Sequence, residues 1–494
     1  MKKLQKSKLA SAAKLLLSLL FFVPPVMAQA QYTFTTNSDG SLNIAQYTGS
    51  GGAVVIPNTT NGLPITSIGD AAFFNKSTLT SVTIGTNVGL IGDQAFSYSS
   101  LTSVALPASV TNIAFDSFLT CPSLTAITVA TNNPAYSSVA GVLFNLNQTT
   151  LIGFPEGKAG SYVVPNSVTN IGIYAFNGSL HLTSLALSTN VSSIENYALY
   201  DCPGLTAITV NTNNLWYSSV AGALFDKSQD TLIQYPAGNA AASYIMPNGV
   251  TNIGMEAFYG CPNLISVTLS TNVVVVGTAA FEDCSVLASI TFPDSVTVIG
   301  GDAFAECAGL TNIAIGTGVS VILSQAFLAC PSVTTIAVAA GNPAFSSAGG
   351  VLFNKNQSAL VLYPAGSVGT SYAIPDSVTN IVEDAFMDSY NLSSITLDTN
   401  VQSIGDTAFQ GCYGLTSITI PNSVTNIGFS TFYNCFGLTN VVIGSGLNNI
   451  GFQVFSYCVS LTGVYFAGNA PVMNADVFDD DSAATAYYLP GTSG

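Results

Sequence analysis

LTSITIPNSVTNIGFSTFYNCFG, residues Leu415 to Gly437, is one complete unit of this chain. Its opening, Leu415-Thr-Ser-Ile-Thr-Ile420, places β-branched residues at period two, which predicts a strand with one face inward. Pro421-Asn-Ser then predicts a turn, because Pro fixes φ and has no N–H for a ladder. Val424-Thr-Asn-Ile427 reads as a second short extended piece, closed by Gly428. The segment around Phe432 is too short for a full helix and predicts a turn of helix or 3₁₀. One such unit cannot bury Ile418, Ile420, Val424, Ile427 and Phe432 by itself. Stacked on copies, each becomes a rung of a continuous apolar ladder.

The copies are present. Ala-Phe or a near relative recurs with its second residue at Phe73, Phe96, Phe118, Phe176, Leu199, Phe258, Phe281, Phe304, Phe327, Phe386, Phe409, Phe432, Phe455 and Phe478. Most spacings are 23, one is 22, and three are 58 or 59. A fixed period of this size marks a solenoid. The expected fold is a β-rich solenoid of 23-residue coils stacked into a parallel strand ladder, seventeen coils from Ile56 to Phe466. Residues 31–49, with a hairpin turn at Asn37-Ser-Asp-Gly40, read as an N-terminal cap on a solenoid spanning 50–466. Residues 467–494 read as a C-terminal cap. Caps are needed because an open solenoid end exposes a strand edge.

The unit LTSITIPNSVTNIG, the Ala-Phe pair and the Cys three residues after it resemble the bacterial surface-antigen (BspA-like) leucine-rich repeat family. The likeness runs from about residue 50 to 480. It implies an extracellular, often surface-associated solenoid engaged in adhesion or ligand binding. It carries over no catalytic residue.

Composition narrows the function. Only 7% of the chain is charged, its nine basic residues are all Lys, and His181 is the single histidine. Lys2 to Lys8, the apolar Leu15 to Val23 and the small-x-small Ala28-Gln29-Ala30 read as an export signal over residues 1–30. Its apolar run is too short to span a bilayer, which needs about 20 residues. Beyond it only Lys76, Lys158, Lys227 and Lys355 face 25 acidic residues, a net charge of −21. A nucleic-acid binder needs cations to neutralise phosphates, and here they are almost absent. Bidentate Arg recognition and multi-His metal centres are excluded outright. No cofactor, metal site or catalytic residue is expected.

Three coils depart from the period: Val129 to Val164, Val210 to Met246 and Val338 to Ile374. Each holds an Asn-rich loop, an aromatic followed by Ser-Ser (Tyr136, Tyr217, Phe345) and two strands read as a hairpin. The strand pairs are Gly141–Phe144 with Leu151–Phe154, Gly222–Phe225 with Leu232–Tyr235, and Gly350–Phe353 with Leu360–Tyr363. Lys158, Lys227, Lys355 and the sole Trp, Trp216, fall in these inserts, so they are the candidate partner-binding residues. The other reading is that the hairpins thicken the wall and their aromatics are core. Nine Cys stand three residues after the Phe or Leu rung, which suits a ladder of buried thiols better than a disulfide framework. Asp479-Asp480-Asp481 lacks cation-loop spacing and reads as a solvated acidic end. The expectation is a secreted or cell-surface protein that binds an extracellular protein or polysaccharide, without catalysis and without a membrane span. Self-association through the flat Thr and Ser ladders is the second reading.

Overall fold

In the computed structural model, residues 31–473 and 475–492 are described; the expected export segment lies outside them. They form two compact units, one running to Ala159 with Ser167–His181 and Ser193–Leu199, the other of Gly160–Asn166, Leu182–Ser192 and Tyr200 onward. Both are built of β-solenoid coils.

The coil of Leu415 shows why the repeat folds as it does. Strand Ser417–Ile420 pairs in parallel with Asn440–Ile443 of the next coil, and Asn426–Ile427 pairs with Asn449–Ile450. Ile418, Ile420, Val424, Ile427, Phe432 and Cys435 are no more than 3% exposed. The Phe rungs stack face to face, as in Phe409 on Phe432 with ring centroids 5.1 Å apart and Phe258 on Phe281 at 4.5 Å. That separation is close to the 4.7–4.9 Å between neighbouring strands, so one coil step serves both ladders.

The segment around every Phe rung except Phe478 is not helical. Residues two before and two after most rungs take positive φ, as Ser430 (49°) and Asn434 (62°) do around Phe432. A left-handed residue on each side interrupts any helix before it closes a second turn. Every other N–H then points along the stack: Ala279, Phe281 and Asp283 donate to Gly301, Ala303 and Ala305 of the next coil at 2.7–2.9 Å. Packing between coils therefore replaces the predicted helical turn. The 3₁₀ helix Ala475–Phe478 is the one helix among the described residues.

The N-terminal hairpin is present: Tyr32–Thr36 pairs antiparallel with Leu42–Tyr47, and Tyr47 stacks on Phe73 at 4.9 Å. At the other end Thr485–Tyr488 pairs in parallel with Gly463–Phe466, adding one strand beyond those expected.

The three inserts cut the ladders. In the first unit the sheet of first strands ends at Ala126–Val129; in the second unit such sheets end at Ala207–Val210 and Thr335–Val338. Each of these strands directly precedes an insert. The buried core of the second unit divides at the third insert, with Leu352 in one apolar cluster and Val351 and Phe353 in the next.

Candidate functional site

Each insert is a three-stranded meander, not a two-stranded hairpin. In the first, Tyr136–Val139 pairs antiparallel with Val142–Asn145, which pairs antiparallel with Thr150–Gly153. The last strand then joins Asn170–Ile171 in parallel. The aromatic-Ser-Ser stretch, read from sequence as a lead-in, is thus a strand itself. Its tight turn needs two left-handed residues, and Ala140 (49°) with Gly141 (82°) supply them. The second and third inserts repeat the arrangement.

The meander's inner face is core. Phe144, Leu151, Phe225, Leu232, Phe353 and Leu360 are fully buried. The second Ser of each pair repairs the interrupted sheet: Ser138, Ser219 and Ser347 accept from the N–H of Val129, Val210 and Val338 at 3.0–3.1 Å.

One buried Asn holds each loop, and residue spacing alone did not single it out. Asn133, Asn214 and Asn342 use both amide hydrogens on carbonyls of the preceding coil, such as Gly316 (2.8 Å) and Val319 (2.9 Å) for Asn342. Each Oδ1 accepts two N–H groups of its own loop, Ala344 and Phe345 in the third. The four-bond use of an amide leaves no buried valence unpaired. A signal existed in the recurrence of an Asn three residues before each insert aromatic.

The candidate residues hang on this frame. Lys227 Nζ donates to the Asn214 carbonyl and Lys355 Nζ to the Asn342 carbonyl. Lys158 Nζ donates to Ala140 O at 2.8 Å. Trp216 donates its backbone N–H to Asn214 Oδ1, so Trp216 and Lys227 meet at one Asn, with the indole 46% exposed. Lys355 stands in the third insert and Lys158 in the first, each on its own loop. Lys227 and Lys355 are exposed, and Lys158 is half-buried. Each ammonium tightens its own loop and keeps further hydrogens for a partner.

The regular surface satisfies itself. Thr439 and Thr462 hydroxyls donate to the carbonyls of Thr416 and Thr439 one coil back, at 2.9 and 3.2 Å. The thiols do the same inside: Cys284, Cys307 and Cys330 donate to Phe258, Phe281 and Phe304 carbonyls at 3.1 Å. All nine Cys are buried and unbridged. His181 is exposed. Asp479 and Asp480 are exposed, but Asp481 is buried, because it stands at the thiol position of the last Phe rung.

An exposed aromatic row escaped the sequence reading. Tyr390, Tyr413 and Phe436, each directly following the thiol position, stack at 4.9 and 5.0 Å and remain about two-fifths exposed.

Two cavities sit beside inserts. The larger, about 120 Å³, lies between the coil of Phe327, the third insert and the coil of Phe386. The smaller, about 40 Å³, lies at the same place beside the first insert. Both arise because the meander reaches its aromatic rung early. Ile381 to Phe386 takes five steps, but Leu360 to Tyr363 and Leu151 to Phe154 take three. The turn ahead of the rung is therefore missing, and a notch is left in the wall. Glu383 and Asp384 border the larger notch, and burial raises the Asp384 carboxyl above its usual range.

The signature described as BspA type leucine rich repeat region (6 copies) matches residues 52–156, 152–229, 237–356 and 367–485. No curated protein matches the chain. Among solved structures, the pneumococcal vaccine antigen PcpA is 20% identical over 72% of this chain and 86% of its own, with a TM-score of 0.47. A leucine rich cell surface protein from Faecalibacterium prausnitzii is 23% identical over 89% and 94%, with a TM-score of 0.37. A leucine-rich repeat protein from Eubacterium ventriosum is 22% identical over 82% and 92%, with a TM-score of 0.43. Among the described residues no helix is long and apolar enough to cross a membrane. With its repeat signature spread over most of its length, the chain belongs to the BspA-type leucine-rich repeat family.

Proposed function

We propose that the chain is exported, displayed at the bacterial surface or released, and binds protein or polysaccharide partners without catalysis. The observation that carries this reading is the contrast between coils and departures. Regular coils spend their polar groups on one another, as the Thr439 and Thr462 hydroxyls do. The inserts and the Tyr390–Tyr413–Phe436 row keep exposed chemistry that the repeat does not use. Aromatic faces such as Trp216 supply large contact area at low entropy cost, the character of binding hot spots. A net charge of −21 beyond the export segment further selects basic or neutral partners over nucleic acid.

The test is capture of partners from the native extracellular milieu by the mature chain. A second bait has each meander replaced by a plain 23-residue coil. Partners held by the first bait and lost by the second place binding at the inserts; equal capture removes them from the account. Self-association is the alternative, favoured by the flat Thr ladder. Sedimentation velocity without added ligand decides it: a monomer across the concentration range ends that reading.

A further inference from the structure

The three inserts share one architecture, and in two copies only a side chain fills part of the notch beside them. In the first, the buried Glu156 reaches back so that its Oε1 accepts the Thr120 N–H. In the second, Ala237 replaces that Glu, and Tyr200 lies on Tyr259 with ring centroids 3.9 Å apart. In the third, Ala365 stands at the Glu156 position and Leu328 at the Tyr200 position. Neither plug is present, and the cavity is about three times larger, 120 against 40 Å³.

The open notch also presents main-chain donors. In most regular coils the N–H groups two before, at and two after the Phe rung donate to the next coil, as Ala279, Phe281 and Asp283 do. Gln325, Phe327 and Ala329 are their counterparts here. Among the described residues no acceptor meets their N–H groups, because the turn that would carry it is missing. The ring ladder is interrupted at the same point. Phe304 stacks on Phe327 and Tyr363 on Phe386, but no ring pair joins Phe327 to Tyr363.

We propose that this notch binds a peptide segment of a protein partner: an aliphatic or aromatic side chain enters the cavity, main-chain carbonyls accept from Gln325, Phe327 and Ala329, and flanking Lys or Arg meets Glu383 and Asp384. The size fits, since an apolar cavity of about 150 Å³ holds benzene. The donors fit, since the missing group in a regular coil is a run of peptide carbonyls, the recognition used in strand addition. The charge fits as well. The first copy has Ile173 and Tyr174 at the rim and accepts a carboxylate; the third has Glu383 and Asp384 there, which would repel one. The acceptor is therefore an uncharged carbonyl and the flanking charge positive. This proposal rests on the chain being a partner-binding protein.

The probes are acetylated, amidated pentapeptides Gly-Lys-X-Lys-Gly with X as Leu, Met or Phe, and counterparts with Glu for Lys, titrated calorimetrically into the full mature chain. At least one Lys peptide saturates, and its Glu counterpart binds at least about tenfold weaker, equivalent to roughly 1.4 kcal/mol. Ala365→Glu installs the plug of the first copy and weakens binding at least about tenfold. The direction is diagnostic, because the added negative charge would strengthen mere surface attraction of a cationic peptide. Leu328→Tyr, the plug of the second copy, gives the same loss without changing charge. Glu383→Gln narrows the Lys-to-Glu preference. No saturable peptide binding, or binding undiminished in both plugged variants, overturns the proposal. So does saturable binding of chitotetraose that the plugs abolish while no peptide binds. Partner capture by the Ala365→Glu bait separates the two levels: captured partners with no peptide site leave the general reading intact and remove this one.

Discussion

At the residue scale, the thiol ladder accounts for nine Cys without disulfides. Seven of the nine S–H groups donate to a Phe carbonyl one coil back, a bond that a bridge between coils would break. Burial pushes Cys121 up to about 11 and Cys330 and Cys412 up to about 12. The thiolate is the reactive form, so these groups should be inert in the folded chain. Iodoacetamide at pH 8 is expected to label none of the nine Cys natively and all nine in denaturant, read by intact mass. Rapid native labelling of two or more would show that the ladder is not closed. Asn342 offers a second residue-level test. It donates two bonds to the coil below and accepts two from its own loop, each worth about 1 kcal/mol net. Asn342→Ala is expected to cost about 2–4 kcal/mol locally, seen as faster amide exchange over Phe345–Ala348 and Ala359–Leu362, with exchange in distant coils unchanged. Uniform acceleration along the chain would place the Asn's role elsewhere.

Elements in this chain stand only because neighbours complete them. A two-residue strand such as Asn426–Ile427 has no stability alone; its partners on both sides and the Phe stack hold it. Removing a rung should therefore disturb one coil and its neighbours first. Phe281→Ala deletes a fully buried ring stacked at 4.5 and 4.9 Å on Phe258 and Phe304. The expected cost is about 3–5 kcal/mol. Because stability in a repeat array is nearly a sum of nearest-neighbour terms, that loss should split the denaturation curve into two steps. A single shifted transition would mean that the array unfolds as one body. The inserts obey the same rule: both ladders stop at an insert, and the meander's last strand starts the second ladder of the following coils.

For the whole molecule, excess negative charge and buried carboxyls set the pH response. Burial, aided by Glu282, raises Glu256 from 4.5 to about 7. Burial chiefly, with Asp480 and Asp479 adding, raises Asp481 from 3.8 to about 7. Between about pH 4 and 7 the folded chain thus holds protons at these sites that the unfolded chain releases. Stability is greatest below the unfolded values and falls as pH rises through 7. Self-repulsion of a net −16 chain acts in the same sense. The thermal midpoint should be higher at pH 5 than at pH 8, and Glu256→Gln should flatten part of the slope. A midpoint that climbs with pH would contradict both terms.

Period and patterning were enough to determine the coil: its two strands, its inward residues, its Phe and Cys rungs and the positions of the three departures. These are legible because each coil repeats the same local problem, and stacking has one solution at 23 residues. The turn around Phe432 was misread as helical, since its left-handed residues are imposed by hydrogen bonds to the next coil and not by local preference. The meanders were half-read, because a strand such as Tyr136–Val139 exists only against its antiparallel partner. Lys158, Trp216, Lys227 and Lys355 stood out by composition, yet only tertiary structure showed each ammonium tied to its own loop's carbonyls and Trp216 joined to Lys227 through Asn214. The notch at Ala365 is marked in the sequence only by a short spacing from Leu360 to Tyr363 and by small or aliphatic residues at 365 and 328, which mean nothing before the coils are stacked. It consists of a missing turn, a missing side chain and unanswered N–H groups, and absences of that kind take shape only when coils are stacked.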